Sequence, residues 1–575
     1  MHQKILVALL LTRWAFALSA QPVSLILHGG KIVTVDERFS IPSAIAVQGC
    51  RILKVGPDAE ILKLKSPQTT VMDLHGRLVL PGLIDSHMHP VAAAMTEYDH
   101  EIPAMETIQE VLDYIGHRAQ IQPAGQWIVV QQVFITRLRE QRYPSRSELD
   151  RVAPKHPVMF RTGPDASLNS LALQLSGIDR HFQVRDGGSG FIEKDLLSGE
   201  PTGILRNCTR YVKIQVSSPP ANAADRERRL GELLRDYNAA GLTSIGDRDA
   251  TEADLAIYRQ LRTRGELTVR VRASYHIETI GPLDEILSNI RRVASHPLVT
   301  DYDEWLRVIG IKTYLDGGML TGSAYLSQPW GVSGIYAIND PNYRGVLFLP
   351  KAKLAPIVRA AVESGLQFTA HSVGDGAVET LLEVYAELNR DLPIQKTRPC
   401  ISHSNFMSQK SVAQLPALGV SVDVQPAWLY LDAGTLLRQF GQERMRWFQP
   451  LRTIFEVGGR AGGGSDHMQK IGSLRSVNPY NPFLGMATAI TRRAKWHTDP
   501  IHPEEALNRQ QAIRFYTMNN AWILFEDDLV GSLEPGKLAD FIIVDRDILS
   551  CPAEDIANAK VIQTYLGGRA VFSRN

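Results

Sequence analysis

The chain has 575 residues, more than one hydrophobic core usually serves, so a large unit with a smaller companion is expected. Hydrophobic residues make up 44%, charged residues 21%, and the net charge is +1. That is the composition of an ordinary globular protein, and it excludes a broad electrostatic field for nucleic acid.

In chain order, Lys4 precedes an apolar run over 5–11, and the small residues Ala17, Ser19 and Ala20 follow before Gln21-Pro22. Residues 1–20 thus read as a secretory signal peptide, interrupted by Arg13, and imply a secreted or periplasmic protein. If the segment does not act as a signal, the protein is expected in the cytoplasm. No later stretch offers the ~20 consecutive apolar residues of a membrane span.

Residues 21–79 alternate apolar and polar between turn residues, as in Ile32-Val33-Thr34-Val35 and Ile45-Ala46-Val47, and read as short strands. A matching run over 529–575 includes Phe541-Ile542-Ile543-Val544, so both chain ends are expected to build one β-sandwich. Between them, over 80–528, strand-like runs alternate with helix-like ones, the pattern of a parallel α/β fold. Eight candidate strands lie at 83–89, 243–246, 269–275, 308–315, 367–371, 400–403, 420–425 and 462–466. They predict a (β/α)₈ barrel. The interval from about 91 to 240 is too long for one βα loop and predicts an insertion after strand one, placed over the mouth of the barrel.

Cys50, Cys208, Cys400 and Cys551 form no CxxC pair and no zinc-finger spacing, and four cysteines allow three disulfide pairings that the sequence does not distinguish. Asn207-Cys208-Thr209 matches an N-glycosylation acceptor.

The chemistry begins at His87-Met88-His89. Side chains on a strand alternate, so His87 and His89 share one face and can reach one metal. An isolated HxH is weak evidence. It gains weight because Lys312, His371, His403 and Asp466 end later strands that are otherwise apolar, and all should face one central point. Any one of them taken alone reads better as a satisfied polar residue, but four in strand order do not. Imidazole and carboxylate suit zinc first, and also manganese, iron or nickel. A buried Lys312 favours the neutral amine, which can add carbon dioxide to become an anionic carbamate.

On Pro81-Gly82-Leu83-Ile84-Asp85-Ser86-His87-Met88-His89, the stretch from Gly310 through Lys312 to Gly317, Ser465-Asp466 and the string Gly531 to Asp540, the chain resembles the amidohydrolase superfamily. Within it the resemblance is to the branch that includes N-substituted formamide deformylases, and it covers nearly all residues after the signal segment. It implies His87 and His89 as ligands of the more buried metal, a carbamylated Lys312 as bridge, and His371 and His403 as ligands of a second metal. It also implies Asp466 as ligand and general base, with one or two divalent metals per chain, zinc foremost. The branch commonly carries Asp-Gly-His before an Asn-Ser-x-Ala-Leu string. Here Thr162-Gly163-Pro164 precedes Asn169-Ser170-Leu171-Ala172-Leu173, which puts transfer of a named activity in doubt.

The expected reaction is hydrolysis of a non-peptide C–N bond in a small molecule by a metal-activated hydroxide, with Asp466 moving the proton. A mononuclear deaminase, an esterase or lactonase, and a non-catalytic barrel are the alternatives. Arg161, Trp428 and His467 are candidates for the substrate wall, against ordinary rim packing, and a homo-oligomer is compatible with the composition.

Overall fold

The computed structural model describes residues 22–131, 133–215 and 221–574. The signal-like segment 1–20 lies outside the described residues. At the centre stands an eight-stranded, all-parallel sheet in sequential order: β1 (Leu83–Met88), β2 (Leu242–Ala250), β3 (Arg270–His276), β4 (Leu306–Tyr314), β5 (Gln367–Ser372), β6 (Cys400–His403), β7 (Ser421–Val424) and β8 (Arg460–Gly463). Every strand predicted from the sequence is present. Each is buried on both faces, as a parallel sheet wrapped by helices must be. On β5, Phe368 and Ala370 pack outward into the main core, while Gln367 and Thr369 bond to Arg248 and Ser402 inside the barrel.

The surrounding helices follow simple amphipathic rules. In Leu283–Ala294 the buried residues Ile286, Ile290 and Val293 recur at intervals of four and three, one stripe of the helix. In Glu252–Thr263 the Thr251 hydroxyl and the Asp254 carboxylate form a reciprocal cap on the first turn.

The first and last strands close the ring mainly at its upper rim. Asp466 N donates to His87 O at 2.7 Å and His89 N to His467 O at 2.8 Å. Lower down, the Asn520 amide bridges the seam, donating to Ile84 O on β1 (2.5 Å) and to Gly463 O on β8 (2.7 Å). Gly464 permits the close approach: a Cβ there would lie 2.9 Å from the Cβ of His87.

The stretch between β1 and β2 carries its own five-stranded sheet, in spatial order Phe191–Lys194, Pro201–Arg206, Asp165–Leu168, Val158–Thr162 and Ile128–Gln131. Its last helix, Ala223–Ala239, buries Leu230, Leu233 and Leu234 in the barrel core, so the part that stands over the barrel ends before that helix. The inserted sheet shares a second core with the long connection after β4, through Met319, Leu320 and Trp330, and with the helix Pro426–Met445.

The chain ends supply two further sheets. One contains Val23–His28, Ala44–Gln48, Arg51–Gly56 and Thr70–Asp73. The other joins Lys31–Ile32 and Leu78–Pro81 to Phe541–Val544, Val561–Leu566 and Arg569–Ser573. Leu27, Ile45, Val79, Phe541 and Ile543 fill the space between them. All four cysteines are free thiols. Among the described residues no helix is long and apolar enough to cross a membrane.

Candidate metal centre and active-site cavity

The ends of the barrel strands open into a cavity of about 1410 Å³, roofed by the inserted sheet and the connection after β4. His89, Lys312, His371, His403, Asp466, Arg161 and Trp428 line it. His87 lies just beneath, fully buried.

A single carboxylate organises two of the imidazoles. Asp423, on β7, accepts from His87 Nδ1 at 2.8 Å, and also from Ser402 Oγ (3.1 Å) and the Gln425 amide (3.1 Å). The Asp423 bond puts the His87 proton on Nδ1 and leaves the Nε2 lone pair free. Because the Gln425 amide nitrogen is committed to Asp423, its oxygen is the atom facing His403 Nδ1 at 2.8 Å. His403 therefore also carries its proton on Nδ1 and keeps Nε2 bare. Outer partners of this kind fix the tautomer and orientation of a metal-binding histidine. Burial, helped by the positive charge of neighbouring groups, holds the pKa of both rings well below the usual histidine value. Both are neutral, as ligands must be.

His403 reaches the centre by an unusual backbone. Alternation would place it with Ile401, which packs outward, but its φ of 74° turns the side chain back toward the axis. Asp466 has a φ of 52°. Left-handed conformations at non-glycine residues cost free energy and concentrate at functional sites.

Ligand atoms of His87, His403 and Asp466 all lie within 4.8 Å of one another. His89 Nε2 stands 3.2 Å from Asp466 Oδ1; burial opposes its charge, but the bond and charge of Asp466 carry its pKa upward. His371 Nε2 faces Gly317 O at 3.3 Å, which leaves Nδ1 as its free donor, and burial with the nearby Lys312 pushes its pKa down to about 3. Lys312 is fully buried, and among the described residues its Nζ has one hydrogen-bond partner, His87 Nε2, at 3.5 Å. Burial lowers its pKa and favours the uncharged amine. Neutral imidazoles with bare nitrogens converging on a carboxylate are a donor set that fits a divalent cation.

Two further carboxylates serve the site. Asp85 Oδ1 accepts from His87 N (3.0 Å) and Ser465 N (3.1 Å), tying β1 to the segment that carries Asp466. Asp249 accepts from His276 Nδ1 and Tyr314 OH, each at 2.8 Å, and forms a polar wall on the cavity. Asp423, Gln425 and Asp249 were missed by the sequence reading. Ser421, Asp423 and Gln425 alternate with valines, and that period of two was the available signal.

Trp428 stacks on His403, ring centroids 5.0 Å apart, and lines the cavity. The expectation for His467 is corrected: its ring is buried outside the cavity lining. Nδ1 bonds Tyr237 OH at 2.8 Å and Nε2 faces the carbonyls of Gln469 (2.8 Å) and Lys470 (2.9 Å), so both nitrogens are occupied in holding the loop after β8.

Residues 70–572 match the amidohydrolase family. The chain is 28% identical to the N-substituted formamide deformylase of Arthrobacter pascens over 565 residues, covering 96% of this chain and 98% of that protein. It is 27% identical to the protein LONG AFTER FAR-RED 3 of Arabidopsis thaliana, covering 95% and 91%. Among solved structures, an uncharacterized metal-dependent hydrolase from Pyrococcus horikoshii superposes with a TM-score of 0.66 at 21% identity. That match covers 92% of this chain and 99% of that one.

Proposed function

Given that this chain belongs to the amidohydrolase family, we propose that it hydrolyses a non-peptide carbon–nitrogen bond of a small molecule with the help of a divalent metal. The observation that carries this reading is the pair of bare Nε2 atoms, on His87 oriented by Asp423 and on His403 oriented by Gln425, in a cluster whose ligand atoms, with those of Asp466, lie within 4.8 Å of one another. His87, His89, His371, His403 and Asp466 are the residues that would hold the metal. A divalent cation there supplies Lewis acidity, making water nucleophilic near neutral pH and polarising a carbonyl.

The chain's own groups do the rest. Asp466, desolvated so that its pKa is raised above the usual aspartate value, accepts a proton from water at Oδ and returns it to the departing nitrogen. The inserted sheet and the β4 connection roof the cavity and confine the approach of water and substrate to its open mouth. Lys312, as an uncharged amine, adds carbon dioxide with loss of one proton, and the resulting carbamate supplies the anionic oxygens that the imidazoles lack. The relative from Arthrobacter pascens makes N-substituted formamides the first substrates to test. Residues 1–20 direct the protein out of the cytoplasm, which N-terminal sequencing of the mature protein would check.

Metal analysis with chelation and reconstitution tests the reading. Chelated protein is expected to be inactive and to regain activity with zinc or manganese, and carbon-13 NMR is expected to show a carbamate on Lys312. Full turnover in a verified metal-free preparation would sink it. Two metals per chain favour the bridged amide hydrolase, and one favours a mononuclear deaminase.

A further inference from the structure

The cavity holds a cation with nothing to bind. Arg161 projects from the inserted strand Val158–Thr162, beside the turn at Gly163, and lines the same cavity as Asp466 and Lys312. Among the described residues its side chain makes one hydrogen bond, from Nε to Gly163 O, at a long 3.4 Å. Both terminal nitrogens lack an acceptor among the described residues, and no carboxylate lies within ion-pair reach. Several other basic groups of the wall are engaged. Arg210 pairs with Asp186 at 2.6 Å, Arg118 with Asp99 at 3.9 Å and His276 with Asp249 at 2.8 Å, while Lys353 donates to Gly281 O at 3.0 Å. Arg226, on the solvent-exposed first turn of the helix Ala223–Ala239, also lines the cavity, and its Nε donates to Ala221 O at 3.4 Å.

Water reaches the guanidinium through the open mouth, yet the surrounding walls deplete its hydration and pull its pKa below the usual arginine value. Tyr314, at the end of β4 two residues beyond Lys312, lines the same cavity. The Tyr314 hydroxyl proton is already given to Asp249, so that phenol cannot serve an incoming anion as donor. A planar fork with two free N–H edges matches a carboxylate bidentately, and in a partly desolvated site such a contact is strong and directional. The wall also carries large apolar side chains, Trp127, Phe134, Leu320, Phe348 and Trp428, around a volume larger than the ~300–1,000 Å³ of a typical ligand pocket.

We propose that this site takes amides that also carry a carboxylate and a bulky apolar group, Arg161 gripping the carboxylate while the scissile bond lies at Asp466. The proposal rests on the hydrolase reading given above and names its substrate class. Arg161 is a specificity-determining residue in this assignment, and takes no part in proton transfer.

Binding separates this proposal from the hydrolase reading, because it needs no turnover. Calorimetry with 3-phenylpropanoate and its neutral isostere 3-phenylpropanamide, on the metal-loaded full chain, compares wild type with Arg161→Met and Arg161→Lys. Wild type is expected to prefer the carboxylate. Arg161→Met is expected to weaken the carboxylate by about tenfold to a hundredfold, the range for one charged hydrogen-bonded contact, and to leave the amide unchanged. Arg161→Lys is expected to recover part of the difference. Equal losses for both ligands, no loss for either, or a carboxylate preference that survives Arg161→Met, as it would if the metal alone bound the anion, would each overturn the proposal. Failure of every amide to turn over, with the binding difference intact, would instead count against the hydrolase reading alone. In kinetics with N-acyl amino acids and their carboxamides, Arg161→Met is expected to raise KM for the acids more than for the carboxamides.

Discussion

The two ends of the barrel bury charge in opposite ways. At the lower end, Arg270 forms a two-point pair with Asp540, at 2.7 and 3.1 Å, and Arg272 meets Glu526 at 3.0 Å, all four side chains being almost wholly buried. At the upper end, Lys312 has one weak neighbour, and His87 and His403 hold bare nitrogens near Asp466. Buried charge that is matched within the protein secures structure, whereas buried polarity left unmatched marks where something from outside is to be received. The contrast tells the two kinds of buried ion apart without reference to which residue types they are.

Substitutions that act on one end only would break this contrast most plainly. Asp466→Asn keeps the shape and an oxygen but cannot accept a proton, so turnover is expected to fall at least about a hundredfold, with folding unchanged by circular dichroism. Near wild-type turnover with a good substrate would remove Asp466 as base. At the other end, Asp540→Ala leaves Arg270 buried and unpaired and is expected to cost about 3–5 kcal/mol of stability, with activity per folded molecule retained. Denaturant unfolding checks the first half, and active-site titration the second.

Asp423→Asn lies between the two ends in its effect. The amide can still accept from His87 through its oxygen, but it brings no charge and offers donors where acceptors are needed. Metal affinity is expected to weaken about 10- to 100-fold with little change in melting temperature. Metal-binding titration measures it, and an unaltered affinity would show that His87 is held by packing alone.

The smallest effect tests the contrast at the protein surface. The Arg142 guanidinium bonds both oxygens of the half-exposed Glu148 at 2.8 Å and, despite partial burial, lowers its pKa from 4.5 to about 2. A depressed carboxylate contributes stability above its unfolded pKa and loses it as pH falls through the folded value. Arg142→Met is therefore expected to be less stable than wild type at neutral pH, by under about 1 kcal/mol because solvent screens the pair. The two stability curves are expected to converge between pH 4.5 and 2.

The barrel was legible because its strands are buried on both faces and read as apolar runs ending in His, Lys or Asp. Two kinds of feature were not. The orienting groups Asp423 and Gln425 sit inside such a run, where a carboxylate looks like an interruption until its alternation with valine is counted. His403 reaches the centre through a left-handed backbone, which no side-chain pattern records, so its placement was anticipated for an incomplete reason. His467 misled by adjacency: one residue beyond Asp466, it points the other way. On β2 the charged run Asp247-Arg248-Asp249 reads as the loop beyond a strand, yet the strand continues through it, and Arg248 lies fully buried inside the barrel.

Closure of the ring between β1 and β8 sets the order of events during synthesis. His89 and Asp466 are 377 positions apart, which at about 5–20 residues per second corresponds to roughly 20–75 s of translation. Through that interval β1 has one side without a partner strand, and Leu78–Pro81 waits longer still for Phe541–Val544. The nascent chain thus presents open strand edges to its surroundings until its final segment emerges, and the cell must shelter them. By the same logic metal capture follows closure of the ring, since the atoms that would receive the ion meet only when the ring shuts.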